Sequence, residues 1–370
     1  MTRAKDLPFM QRALELARRG AGLVEPNPMV GAVVVREGKI VGEGWHRRFG
    51  GPHAEVMALR KAGSRARGAT LYVNLEPCSP HPKKTPPCTE LILKSGLARV
   101  VAACTDPNPL VQGRGLSLLR KGGVTVSTGL LGKEAREGNR AFFKWNKTGF
   151  PYILSKWAMT LDGKIATHTG DSKWISSVAS RKWLHQLRDE YPAILIGANT
   201  ALRDDPTLRG TKLRPVRIIL DTYARVPIDA KVVKTAKEQR TILAVSASAP
   251  EEKLRLLRRA GVEVIQLEIL DLRILLEELA RSGITKILVE GGGEVHASIF
   301  EAGLSDEVCI FIAPKITGGA DARTPVEGVG FGKIIDSIHL SDVTMERIED
   351  DMVIRGKTGS QGGKAGIAPR

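Results

Sequence analysis

The chain has 370 residues, 42% hydrophobic and 26% charged, which suits two ordinary soluble domains with sizeable cores. Four cysteines in so long a chain are not a disulfide framework, and no run approaches the roughly 18 apolar residues of a membrane span. The net charge of +16 (Lys+Arg 56, Asp+Glu 40) is scattered, with no basic block and no interleaved aromatics, so it favours small phosphorylated substrates over nucleic acid.

The N-terminus "MTRAKDLPFM" has no apolar h-region, so no secretory signal is expected and a reducing cytoplasm is the expected home. Phe9, Met10, Ala13, Leu14 and Ala17 recur at helical period and predict a helix over 6–20. In "EPNPMVGAVVV", Pro26 and Pro28 end it and a strand follows over Met29–Val35. "REGK" turns the chain back into a strand over Ile40–Trp45, and Pro52 precedes a helix over 54–61. "TLYVNL" (Thr70–Leu75) is a strand that runs into a cysteine loop. "CTELILKSG" (Cys88–Gly96) reads as a helix ended by Gly96, and "RVVAAC" (Arg99–Cys104) as another strand. A charge-rich helix over Lys133–Asn146 closes this half.

The pattern restarts after 147–150, which divides the chain into domains at 1–147 and 150–355. "YILSKWAM" opens the second half. Strands are expected at 193–197, 216–221, 241–246, 262–267 and 286–293, and helices at Ala179–Glu190, Glu251–Arg259 and Leu272–Arg281. Strands alternating with helices imply α/β architecture in both halves. The Gly-rich basic stretch 356–370 reads as a disordered tail.

One histidine and two thiolates are an ordinary zinc set, and three protein ligands leave a fourth position for water. His53, Cys78 and Cys88 supply that set, with His81 as a rival ligand inside the loop. Glu55, two residues from His53, is placed to move a proton from a metal-activated water toward a leaving amine. His-x-Glu followed by Pro-Cys is the arrangement of zinc deaminases. Nine residues separate Cys78 from Cys88 where the nucleoside and nucleic-acid deaminases have two, so those are poorer matches. Cys104 and Cys309 read as buried small hydrophobes. A zinc-stabilised nucleic-acid-binding protein is the reading from another class, and the scattered charge speaks against it.

"NPMVGAVVV", "GPHAEVMAL", "LEPCS" and "TPPC" resemble the bifunctional deaminase/reductase family of riboflavin biosynthesis. The loop "PCSPHPKKTPPC" is one residue longer than the family's usual "PCSHHGRTPPC" and lacks its Gly. In the second half "KWAMTLDGKIATHTGDSKWISS", "GANTALRDDPTL" and "LVEGGGEVHASIF" resemble the family's reductase domain in the expected order, so the resemblance covers about residues 6–350. It implies a cytidine-deaminase-like domain followed by a dihydrofolate-reductase-like one. Zn2+ and NADPH are the implied cofactors, phosphorylated pyrimidines the implied substrates, and neither nucleic acid nor membrane is an expected partner. A homo-oligomer is expected.

"EGGG" (Glu290–Gly293) ends a strand and opens a helix, where glycines let a pyrophosphate approach backbone N–H groups. Thr200, Asp204 and Thr222 fall at or just past strand ends, where polar side chains can line a cleft. The resemblance places Ala158, Trp174, Thr200, Asp204, Thr222, Gly292 and Gly293 on NADPH, and Ser172, Leu208 and Glu290 on the reductase substrate. Core packing is the other reading of Trp174 and Leu208, and Asp205 is the rival of Asp204. The family's usual phosphate-pairing Arg after "DDP" is displaced here: Arg209 is favoured, and Arg214 is a second candidate.

Overall fold

The computed structural model of the chain describes residues 3–79 and 87–359. It divides into two compact units, Met1–Phe150 and Pro151–Arg370.

The first unit runs α1 (Arg3–Arg18), β1 (Gly31–Arg36), β2 (Lys39–Trp45), α2 (Ala54–Ala62), β3 (Thr70–Val73), α3 (Cys88–Lys94), β4 (Arg99–Ala102), α4 (Arg114–Lys121), β5 (Thr125–Thr128), α5 (Gly132–Gly138) and α6 (Arg140–Thr148). Its sheet has the order β2-β1-β3-β4-β5. The first strand is antiparallel to both neighbours, and β3, β4 and β5 are parallel. The run "GAVVV" is buried on both faces, as a central strand covered from two sides must be. Val33 and Val35 join Met10, Ala13 and Leu16 of α1, whereas Ala32 and Val34 join Ala54, Ala58 and Ile92 on the opposite face. The near-buried Asp6 carboxylate takes two hydrogen bonds from Arg99 at 2.9 and 2.7 Å and one from the Tyr72 hydroxyl at 2.6 Å, which pins α1 to this sheet.

Helix α2 lies directly on β2, and the sequence permits it only because that strand carries Gly42 and Gly44. A Cβ on Gly44 would stand 2.8 Å from both Ala54 O and Ala58 N. The close approach fixes the height of the α2 N-terminus, where His53 and Glu55 sit.

The second unit runs β6 (Tyr152–Thr160), α7 (Val178–Arg188), β7 (Ala193–Gly197), α8 (Ala198–Asp204), β8 (Val216–Leu220), α9 (Lys231–Lys234), β9 (Thr241–Ser246), α10 (Glu251–Arg259), β10 (Glu263–Leu267), α11 (Leu272–Arg281), β11 (Lys286–Val289), α12 (Gly293–Glu301), β12 (Glu307–Ala313), β13 (Ser341–Ile348) and β14 (Asp351–Lys357). Its nine strands are ordered β10-β9-β8-β7-β11-β6-β12-β14-β13. The strands from β10 to β12 are all parallel, and the last two close the sheet as an antiparallel edge.

Several expected boundaries moved, each for a local reason. The first strand begins at Gly31, not Met29, because the Met29 backbone is held sideways: its N–H donates to Asn139 Oδ1 at 2.8 Å and its C=O accepts from Asn74 and Asn139 at 2.9 Å. The same Asn139 splits the expected 133–146 helix into α5 and α6. The strand expected over 286–293 stops at Val289, where the glycine turn begins. Helices α4 and α8, strand β5 and the last three strands were not anticipated. The final strand continues to Lys357, inside the stretch expected as tail; 360–370 fall outside the described residues, as does the loop segment 80–86 with His81.

Candidate active sites

In the first unit, the chain leaves β3 through Leu75, Glu76 and Pro77 and arrives at Cys78. Cys88 opens α3 with its N–H donating to Cys78 Sγ at 3.2 Å, and Thr89 N–H donates to Cys78 O at 3.2 Å. His53, at the N-cap of α2, aims Nδ1 at both thiols, 3.2 Å from Cys88 Sγ and 3.6 Å from Cys78 Sγ. The three ligand atoms all lie within 4.8 Å of one another. Bond lengths of about 2.0–2.3 Å around a tetrahedral zinc put ligand atoms about 3.5–3.8 Å apart, so this donor set fits that ion with a fourth position left over. It is the one such cluster among the described residues. Hydrogen bonding from Cys88, then from His53, pulls the Cys78 thiol down to about 4, and Cys88, which keeps the proton, is raised. A divalent cation bound between these thiols would displace that remaining proton to solvent.

Glu55 lies in the first turn of α2 and is 3% exposed. Burial raises its carboxyl above the usual range, only partly opposed by the nearby His53. That is the direction a group exchanging a proton near neutral pH requires. His46 packs edge-on against His53, with ring centroids 5.7 Å apart. Its Nδ1 donates to Pro52 O at 3.1 Å, since a carbonyl can only accept, and Nε2 therefore accepts from the Asn27 amide at 3.2 Å. Burial lowers the His46 pKa, so the neutral tautomer prevails. Behind the cysteines, the buried Glu76 carboxylate accepts from four backbone N–H groups: Asp106 at 3.1, Gly113 at 2.9, Gly115 at 2.9 and Leu116 at 3.3 Å. It ties the segment before Cys78 to the start of α4. Neither His46, Asn27 nor Glu76 stood out in the sequence, because each acts through a partner distant along the chain. Cys104 and Cys309 are buried, with thiols pushed up to about 12 by burial, as expected of packing residues.

In the second unit, a cleft of about 520 Å3 opens at the carboxyl ends of the parallel strands. Ser172, Thr200, Asp204, Thr222, Gly292 and Gly293 all line it. The glycine turn is open at Gly292, where a Cβ would find nothing nearer than Thr200 Oγ1 at 3.9 Å, whereas a Cβ on Gly293 would meet Glu327 Cγ at 2.5 Å; no side chain caps α12. Free N–H groups at a helix start, beside an empty space of that size, fit the pyrophosphate of a dinucleotide. Ser172 donates to Asp204 Oδ1 at 3.5 Å. Asp205, the rival, is turned away: its Oδ1 accepts from Lys231 N at 2.7 Å, and its positive φ of 42° ends α8.

Five expected contacts lie outside this lining. Ala158 is half-buried against the core on β6. Trp174 is 63% exposed, with the Arg181 guanidinium 4.4 Å over its ring. Leu208 has its side chain 2% exposed in the core, and Gln239 donates to its carbonyl at 3.1 Å. Arg209 reaches toward Glu238 at 3.4 Å, and Arg214 makes a looser contact with the same carboxylate at 3.7 Å. Glu290 forms a two-pronged pair with Arg188, both bonds 2.8 Å. Burial pushes its carboxyl up, but the charge and hydrogen bonds of Arg188, with Lys156 behind, hold it below the usual range. Arg188 also donates to Arg209 O at 3.2 Å, and His185 donates to the same carbonyl at 3.0 Å. A second polar cluster, Arg188, Glu290 and the Arg209 main chain, thus forms beside α7. Arg188 was not anticipated, because "LHQLRDE" reads as an ordinary solvated helix end.

Residues 3–104 match the family model of the cytidine and deoxycytidylate deaminase zinc-binding region, and residues 151–354 match the RibD C-terminal domain. The riboflavin biosynthesis protein RibD of Aquifex aeolicus is 46% identical over 358 residues, which cover 96% of this chain and 99% of that one. The solved structure of Acinetobacter baumannii RibD is similar with a TM-score of 0.87 at 34% identity, covering 97% of this chain and 100% of the other. The Thermotoga maritima diaminohydroxyphosphoribosylaminopyrimidine deaminase/5-amino-6-(5-phosphoribosylamino)uracil reductase is similar with a TM-score of 0.85 at 36% identity, over 97% and 100%.

The ligand set predicts a clear separation among the four cysteines. Cys78→Ser and Cys88→Ser should each reduce bound zinc from about one per chain to a small fraction, because a hydroxyl is a far poorer ligand than a thiolate. Cys104→Ser and Cys309→Ser should keep it, and elemental analysis of the purified variants distinguishes the two groups.

Proposed function

We propose a residue-level division of labour that proceeds from one premise: the chain belongs to the RibD family, the bifunctional deaminase/reductases of riboflavin biosynthesis. It is an enzyme with two activities, a zinc-dependent hydrolytic deaminase in its first unit and an NADPH-dependent reductase in its second. Its substrates are small phosphorylated pyrimidines. The deaminase converts 2,5-diamino-6-(5-phosphoribosylamino)pyrimidin-4(3H)-one, with water, to 5-amino-6-(5-phosphoribosylamino)uracil and ammonia. The reductase converts that uracil to its ribitylamino phosphate.

Zinc, when bound, supplies a Lewis acid that makes a water nucleophilic near neutral pH. His53, Cys78 and Cys88 hold it. Glu55 takes a proton from the attacking water and passes it to the departing amine nitrogen. The observation that carries this reading is the convergence of three ligand atoms beside a buried carboxyl whose pKa is raised. His46, fixed as the Nδ1–H tautomer, packs on His53 and keeps that ring oriented.

NADPH, when bound, would supply the hydride for the ribose C1′, the released ring oxygen taking its proton from solvent. Gly292 and Gly293 present N–H groups to its pyrophosphate, with Thr200 and Thr222 alongside. Ser172 and Asp204, joined at 3.5 Å, mark the end of the cleft where cofactor and sugar meet. Glu290, held by Arg188, and the main chain at Leu208–Arg209 form the substrate side. No side chain is assigned as proton donor to the opening sugar; orientation carries this half-reaction.

A homo-oligomer built on the antiparallel edge of the second sheet completes the proposal. Strand β13 is the outer strand and nearly every residue in it is exposed, including Val343 and Met345. Ile334 and Ile335, 92% and 86% exposed, precede it. An open edge strand that exposes Val343 and Met345 is a template for pairing, and a two-fold partner covers it with an identical edge. In sedimentation velocity the chain should run as a dimer or larger and the Ile334→Lys/Ile335→Lys variant as a monomer; a monomeric wild type contradicts the proposal.

Asp204→Ala should lower reductase kcat/KM by about tenfold to a hundredfold through lost positioning, and spare ammonia release. Asp205→Ala should instead cost about 0.5–1 kcal/mol of stability, by removing an exposed hydrogen bond to the Lys231 N–H, and keep reductase activity. Paired kinetics of both half-reactions and thermal melts of the two variants check this; loss of reductase activity only in Asp205→Ala reverses the assignment.

A further inference from the structure

The stretch after β6 lines the second unit's cleft with Ile165, Ala166, Gly170 and Ser172, and the stretch after β12 adds Arg323 and Glu327. Glu327 N donates to Gly293 O at 3.2 Å, which holds the second stretch against the glycine turn. The two stretches are laced together. Asp162, in the turn after β6, is an exposed carboxylate, yet both of its oxygens are taken. Oδ1 accepts from the Thr160 hydroxyl at 2.6 Å and from Thr317 N at 3.1 Å, and Oδ2 accepts from Gly318 N at 2.7 Å. The Thr160 hydroxyl first, then the Gly318 and Thr317 amides, pull this carboxyl down to about 2. Lys315 ties the other end of the stretch: its Nζ donates to Trp174 O at 2.6 Å and to Ile175 O at 2.8 Å, and its carbonyl accepts from Leu161 N at 2.8 Å. Between these two anchors, Ile165 N donates to Arg323 O at 2.9 Å and Lys164 Nζ to Ala322 O at 3.3 Å.

Among the described residues, 161–177 form a stretch with no helix or strand, so its path is set by these cross-links rather than by a backbone ladder. Asp162 and Lys315 fasten it near both ends to one short segment, 315–318. Neither residue lines the cleft itself. Three donors converge on the Asp162 carboxylate, and it answers them with two acceptor oxygens. An amide in its place would turn an NH2 toward one of the backbone N–H groups and leave that donor unmet. Exposed hydrogen bonds of this kind add little to global stability, so their effect is on where the two walls stand. When the clasp is loosened, fewer molecules hold a cleft of the right width. Apparent affinity then falls by that fraction, while the reaction of the saturated enzyme is untouched.

We propose that Asp162, together with Lys315, is a positioning residue of the reductase: it holds the wall that carries Ser172 against the wall that carries Glu327 and so sets the width of the cleft. The proposal rests on the cofactor reading of the cleft given above. The test uses the full chain, with NADPH binding followed by its fluorescence and reductase kinetics, ammonia release and thermal melts measured on the same preparations. Asp162→Asn should raise both the Kd and the KM for NADPH about tenfold, as a competent fraction of about one tenth gives, with kcat within about twofold of wild type. Lys315→Met, which removes the other anchor, should raise the KM in the same direction. Ammonia release should be unchanged in both variants. A merely structural role gives the opposite split: an unfolded fraction lowers kcat per chain and leaves the KM of the folded molecules as it was. That result overturns the proposal, and so does a wild-type Kd and KM in both variants. A wild type that does not bind NADPH overturns the cofactor reading of the cleft, whereas a wild type that binds it beside variants that bind it equally well overturns the positioning role alone.

Discussion

Parallel strands cannot be joined by a tight turn. Each must be followed by a crossover that returns the chain to the far end of the sheet, and the crossovers here are mostly helices. The functional groups of both units follow from that constraint. Strand β3 delivers Cys78 at its carboxyl end, and the chain then comes back through α3, which begins at Cys88. Strands β7, β8 and β11 deliver Thr200, Thr222 and the Gly291–Gly293 turn to one edge of the second sheet. Helix starts gather at these edges: at one, the Cys88 and Thr89 N–H groups donate to Cys78, and at the other α12 begins with no side-chain cap.

The groups that do the chemistry are few, and many more hold them in place. Glu76 spends a buried carboxylate on four backbone amides so that the chain into Cys78 has one path. Gln239 donates to Leu208 O and Pro215 O, while the fully buried Arg217 is satisfied by Thr235, Thr241, Val232 O and Gln239 O. That network contains no carboxylate and fixes the turn after "DDP". Burial lowers the Arg217 pKa to about 10, which leaves it charged at neutral pH.

The metal centre was legible in the sequence because its chemistry is carried by residue types: a histidine, two cysteines and a glutamate are unusual enough together to mark a site. The alternation of strands and helices was legible for the same kind of reason, since the apolar runs at 193–197 and 241–246 are long and bounded by turns. What escaped was carried by pairing. Arg188 is one of many basic residues until the fold brings Glu290 against it, and Asn139 breaks a helix only because Met29 lies alongside. Strand β13 carries Asp342, Glu346 and Arg347 and has no buried face, so nothing in its composition separates it from a loop. For Leu208 the motif position and core packing were both open readings, and its side chain lies in the core.

The central claim is that the two chemistries are carried by separate residues, with Glu55 moving the proton in one of them only. The most direct measurement is Glu55→Gln in the full chain, with zinc content, ammonia release and NADPH oxidation followed on one preparation. The amide keeps the shape but cannot carry the proton, so zinc should stay near the wild-type content and ammonia release should fall by about a hundredfold or more. Reduction of supplied 5-amino-6-(5-phosphoribosylamino)uracil should continue unchanged. Ammonia release within tenfold of wild type, or parallel loss of both activities with zinc retained, would contradict the account.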